Sequence, residues 1–175
     1  QAQREPGMPF WKRIGFAFVF VVPALMPLAA WLGARLQHPD LMAWFPLWFL
    51  FVLLPLADHV AGHDPANPDP AHASQLERDR WFRLLTLLAV PVQFAVLGWS
   101  LRHAASAGLS PAGMLGWLLS QGVVGGVLAI NVAHELIHKE TRLERAAGGL
   151  LLTSVGYHGF KVEHLRGHHV HVSTP

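Results

Sequence analysis

Apolar residues run almost unbroken through four stretches of the chain, Ile14 to Leu32, Leu41 to Ala57, Leu84 to Leu101 and Ala112 to Ala133, with polar segments between them. About 20 apolar residues in a helix cross the hydrocarbon core of a bilayer. The first, third and fourth stretches meet that length; the second is short, but carries Trp44 and Trp48, which suit a membrane interface. Pro23, Pro27, Pro46, Pro55 and Pro91 fit this reading, because neighbouring helices in a membrane can satisfy the carbonyls that proline frees. The pattern therefore predicts four spans, about 14–32, 41–57, 84–101 and 112–133, in one all-α integral membrane domain built as a transmembrane helix bundle. Gly122 and Gly126 have the spacing that lets two helices approach closely, and read as ordinary packing. The polar, proline-rich Asp58 to Asp79 segment reads as an ordered loop leading into the third span, and residues 134–175 as a polar region after the fourth.

Composition agrees with the bilayer as solvent: 52% of residues are hydrophobic and only 14% charged, too oily for an ordinary soluble domain. Basic residues then set the orientation. Arg4, Lys12 and Arg13 precede the first span, Arg78, Arg80 and Arg83 the third, and Lys139, Arg142, Arg145, Lys161 and Arg166 follow the fourth, while only Arg35 and Arg102 fall in the opposite loops. By the positive-inside rule the N-terminus, the Asp58 to Arg83 segment and the histidine-rich tail face the cytoplasm from the inner membrane of a bacterial cell. A cleaved signal peptide is the poorer reading of the first stretch, because signal cores are about 7–15 residues long. The formal charge of +2 is small and scattered, which excludes a nucleic-acid binder. Gln1 in place of Met, and an end directly after the densest polar motif, predict that the whole protein is longer.

The chain has no cysteine, which rules out thiolate zinc sites, iron–sulfur clusters and a built-in rubredoxin, so any metal must take nitrogen or oxygen ligands. Of its 12 histidines, His134, His138, His158, His164, His168, His169 and His171 crowd the last part. His134-Glu135-Leu136-Ile137-His138 lies where the fourth span ends, and residues four apart share a helix face, so both imidazoles can reach one metal or adjacent metals. Glu163-His164-Leu165-Arg166-Gly167-His168-His169 repeats the spacing and adds a neighbour. A tetrahedral zinc needs at most four ligands, so five converging imidazoles favour two metals. HELIH also fits a zinc protease, with Glu135 as general base; that alternative needs one further ligand where three are offered. His38, His63, His72 and His103 read as loop residues, and His158 and His171 stay open as ligands.

NVAHELIHK followed by EHLRGHHVHVSTP resembles the first two histidine boxes of the membrane-bound alkane hydroxylases, relatives of the membrane fatty-acid desaturases and of xylene monooxygenase. The likeness begins at Asp58, with Gly62-His63-Asp64, Asn67-Pro68 and LERDRWFRLLT; Ile137 stands where that family often has glycine, and His158-Gly159 departs from its commoner Gly-His order. The resemblance covers the N-terminal half of the family fold and implies six helices in the whole, with a cytoplasmic centre of two iron ions held by histidine. His134, His138, His164, His168 and His169 would be the ligands on this chain, and the family's third histidine box has no counterpart in it. O2 would be co-substrate, an alkane from the lipid membrane the substrate, and rubredoxin, served by rubredoxin reductase, the electron donor. A desaturase or another lipid hydroxylase on the same scaffold is the alternative. Glu135, Glu163 and Asp58 are candidates to orient and tune the ligands. Leu47, Phe51 and Leu54, on one helical face with Asp58, are candidates to line the alkyl channel.

Overall fold

Local signals start and stop each helix. In the computed structural model, which describes residues 10–62 and 79–160, α1 (Phe10–Ala17), a 3-10 turn (Phe18–Phe20) and α2 (Val21–Leu36) follow without a break. Gln37 ends α2 by turning into the left-handed region at φ 59°, with its N–H donating to the Gly33 carbonyl. The short α3 (Pro39–Met42) and α4 (Phe45–Trp48) lead into a π-helical segment (Phe49–Leu53) and α5 (Leu54–Ala61). α6 (Arg80–Ser106) begins where the Asp79 carboxylate accepts from the Trp81 N–H at 2.8 Å. α7 (Pro111–Ile137) begins where the Ser110 hydroxyl accepts from the Gly113 N–H at 3.1 Å, with Pro111 in the first turn, where a missing N–H costs nothing. α8 (Arg142–Ser154) opens on Thr141.

Among the described residues three helices are long and apolar enough to cross a membrane: Arg13–Leu36, Arg80–Ser106 and Pro111–Ile137. The protein itself buries 50% of the apolar window of α7, against 22% and 17% for the other two, so α7 is the central helix of the described residues. It packs against α2, α3, α4, α6 and α8. Close approach needs glycine at two of these contacts. A Cβ at Gly116 would lie 2.4 Å from the Trp44 indole, and one at Gly113 would meet the Asp40 carboxylate at 2.0 Å. Among the described residues a Cβ at Gly122 would meet nothing within 4 Å, and one at Gly126 only Ile130 of its own helix. The packing expected of that pair falls to Gly113 and Gly116.

The second predicted stretch is helical with shifted bounds, and stays short. Apolar helix runs over Phe45–Ala61, and its 17 residues rise about 26 Å at 1.5 Å per residue, short of the roughly 30 Å hydrocarbon core. The expected loop also starts later than Asp58, which sits in α5; the helix runs on to Ala61 because nothing before Gly62 breaks it, and residues 63–78 lie outside the described residues. An element absent from the hydropathy pattern appears in α8, whose Ala147, Leu151 and Leu152 are buried against α7 and α6.

Polar contacts then show which helix ends lie together. Arg13 pairs with Asp79 at 2.5 Å, the Trp81 indole N–H donates to the Arg13 carbonyl at 3.1 Å, and Arg83 pairs with the buried Glu144 at 3.3 Å. The α1 segment at Arg13, the start of α6 and the start of α8 therefore share one end of the bundle. At the other end, the Ser110 N–H donates to the Asp40 carboxylate at 2.9 Å and joins the two opposite loops.

Candidate metal centre

α7 reaches the shared basic end with its two faces in different surroundings. Ala133, Leu136 and Ile137 are buried against α8, and the intervening His134, Glu135 and His138 are exposed. α8 can come this close because residue 148 is glycine: a Cβ there would stand 3.0 Å from Ile137 Cγ2 and 3.1 Å from both the Ala133 carbonyl oxygen and Leu136 Cβ. The contact fixes the rotation of the last two turns of α7, and so the direction in which both imidazoles point. His134 lies in the last helical turn and His138 is the C-cap. Their ring centroids are 5.1 Å apart with the planes at 77°, and the Phe160 ring sits 6.3 Å from His134.

This donor pair suits a cation. Neutral imidazole is a good ligand for iron, and the carbonyls of a helix C-terminus add partial negative charge at the same place. Among the described residues no group of three or more histidine or carboxylate side chains forms a cage, so His134 and His138 are the part of the expected centre that the described structure assembles. Glu163, His164, His168, His169 and His171 lie outside the described residues, as do His63 and His72. His158 is exposed in the turn after α8.

The carboxylate candidates divide. Glu135 pairs with Lys139 at 2.6 Å, one turn further along the chain. Asp58 lies in the last turns of α5, where every side chain is exposed. Glu144, which sequence reasoning passed over, is a buried carboxylate at the start of α8: it accepts from the Thr141 hydroxyl and from Arg83, and the Glu144 N–H donates to Thr141 Oγ1 at 3.2 Å. Thr141 thus caps α8 through its hydroxyl, the first half of a capping box, and the Thr-x-x-Glu signature stands in the sequence at 141–144. The channel candidates do not share one environment. Leu47 is partly buried, while Phe51 and Leu54 are 65% and 49% exposed, because the π-helical Phe49–Leu53 segment breaks the regular period that would have aligned them. His103 is a second correction: it lies within α6 and stacks against Trp99 and Trp117, with ring centroids 5.4 and 4.5 Å away, instead of sitting in a loop.

Known proteins give this geometry a context. Alkane 1-monooxygenase 2 of Pseudomonas aeruginosa is 43% identical over 168 residues, covering 94% of this chain and 44% of that protein. Alkane 1-monooxygenase 2 of Alcanivorax borkumensis is 42% identical over 166 residues, with the same 94% and 44% coverage. Alkane 1-monooxygenase 1 of Pseudomonas aeruginosa is 44% identical over 172 residues, again at 94% and 44%. The chain is homologous to the N-terminal part of the alkane 1-monooxygenases. It spans 44% of the length of these relatives. No protein-family model matches the chain. The alkane 1-monooxygenases are oxidoreductases. The three long apolar helices agree with an integral membrane protein of that kind.

Proposed function

We propose that this chain forms the N-terminal part of a membrane-embedded alkane hydroxylase that converts a terminal methyl group to a primary alcohol. The observation that carries the reading is the identity of 42–44% over 94% of the chain to proteins named alkane 1-monooxygenase. In this reading His134 and His138 at the end of α7, together with His164, His168 and His169, hold two iron ions, and the rest of the protein completes the ligand set. When bound, the iron supplies the redox chemistry that couples O2, two electrons and two protons to oxygenation of the alkane, with water as the second product. The chain's own share is orientation and exclusion of water. α8, clamped by Gly148, aims the two imidazoles away from the apolar core, while the lipid-facing surfaces of α2 and α6 offer the alkane a route with no polar barrier.

The basic end lies in the cytoplasm and receives electrons from rubredoxin, itself reduced by rubredoxin reductase. With no cysteine, the chain has no thiolate for an iron–sulfur donor of its own. The patch expected to receive an acidic donor is narrower than the sequence suggests. Lys139 is engaged by Glu135, and Arg145 donates to the carbonyls of Lys139 and Glu140 at 3.3 and 2.7 Å, which leaves Arg142, exposed at the start of α8, as the described residue best placed to act through charge alone.

The test is metal analysis of the purified full-length protein with His134→Ala and His138→Ala beside it. Iron near two atoms per chain, lost together with alkane oxidation in both variants while the helical circular-dichroism signal persists, is the expected result. Stoichiometric zinc without iron would overturn the reading.

A further inference from the structure

Between Gln121 and His134, α7 carries one polar side chain, Asn131, which the metal centre leaves without a task. Helix geometry puts it on the histidine face. At 3.6 residues per turn it stands about 60° from His134 and about 20° from His138 around the axis, and about 4.5 Å from His134 along it, toward the apolar stretch. Asn131, His134 and His138 are all exposed, while Val132, Ala133, Leu136 and Ile137 between them are buried against the bundle. The other amides of the long helices, Gln93 and Gln121, are buried, so Asn131 is the one turned outward.

Its amide is held in place. Asn131 Nδ2 donates to the Val127 carbonyl oxygen at 2.8 Å, one turn back, and among the described residues no other partner meets the group. A carboxamide also carries a carbonyl oxygen with two lone pairs, so Oδ1 is left to accept. Unmet polar capacity is costly in apolar surroundings, and polar side chains within membrane spans face protein or a functional cavity in place of acyl chains. The direction of approach narrows what Oδ1 meets. An alkane drawn from the hydrocarbon of the membrane comes to the end of α7 from the side of the apolar stretch, so its terminal carbon reaches His134 by way of the Asn131 turn. The alkane has no donor to offer Oδ1. A primary alcohol has one, on the carbon that has reacted.

We propose that Asn131 Oδ1 accepts a hydrogen bond from the hydroxyl of the newly formed primary alcohol, a contact that product makes and substrate does not; the proposal rests on the alkane-hydroxylase reading. Asn131 thereby sets how tightly the product is held beside the metal centre. The test uses full-length protein in lipid nanodiscs with reduced rubredoxin and the n-alkane it oxidises fastest. The 1-alkanol and the 1-fluoroalkane of the same length serve as inhibitors, the second being a close match that cannot donate. The alkanol should inhibit the wild type about 3- to 10-fold more tightly than the fluoroalkane, the range one hydrogen bond supplies. In Asn131→Leu the two should inhibit alike, with iron content unchanged and the KM for the alkane shifted by less than the alkanol inhibition constant. Asn131→Ala gives the same readout if the leucine variant does not fold. An alkanol preference kept in the variants, or absent from the wild type, would overturn the proposal. Iron lost from both variants would instead make Asn131 a support for the ligands, and a lowered Tm with the preference intact would make it a contact with another helix; either result overturns it. Wild type that forms no alcohol would remove the hydroxylase reading itself, and this proposal with it.

Discussion

A methyl group added at Gly116 and one added at Gly122 lie on the same helix but meet different surroundings. The first would be driven into the Trp44 indole and the second would enter open space. Gly116→Ala should therefore cost about 1–3 kcal/mol through overpacking. Gly122→Ala should be neutral or should stabilise by up to about 1 kcal/mol through helix propensity. Denaturant titration of the two variants in mild detergent checks the contrast, and equal effects would count against the packing of α4 on α7. At this scale the sequence was legible in the spacing of two histidines. His134 and His138 were placed on one face by their spacing alone, and their rings are 5.1 Å apart. It was not legible at His103, because the apolar run stops at Leu101 while the helix continues to Ser106, held by ring stacking that hydropathy cannot register.

Among the elements, α8 decides how well the histidine end of α7 is held. Its Thr141 cap and its Arg83–Glu144 pair fix where it starts, the Gln93 amide donates to Ser154 Oγ at 3.1 Å near its end, and Gly148 sets its distance from α7. Gly148→Ala should push α8 away from Ala133, Leu136 and Ile137 and cost about 1–3 kcal/mol. Because those three residues set the rotation of the last turns of α7, the variant should also retain less iron than wild type after the same purification. Full iron retention at reduced stability would mean that α8 supports the fold without aiming the ligands. Hydropathy found the three long spans and missed α8, whose apolar residues form a narrow stripe between charged and small ones. Its start signal, Thr141 with Glu144 three residues later, could have found it. The bounds of the second stretch were not legible for a different reason: the composition of 41–57 is apolar throughout, but the turn at Ala43–Trp44 divides it and leaves Phe45–Ala61 as the apolar helix.

Over the whole molecule, charge divides the bundle into two unlike ends. The Arg13–Asp79 and Arg83–Glu144 pairs join the basic end across three helices, and the histidine pair projects there. If electrons enter at this end from an acidic carrier, Arg142→Glu should slow rubredoxin-dependent turnover and flatten its dependence on ionic strength, because complementary charge acts chiefly on the association rate. Turnover driven by a small chemical reductant should stay at the wild-type rate; a parallel fall in both would move the docking face elsewhere. The central claim, that the chain belongs to an enzyme placing one oxygen atom on the end of an alkane at a histidine-held metal centre, is tested most directly by isotope. Full-length protein in lipid, supplied with reduced rubredoxin, a series of n-alkanes and 18O2, should yield primary alcohols carrying 18O, and His134→Ala should yield none. Alcohol labelled from water, or equal labelled product from wild type and His134→Ala, would contradict the account.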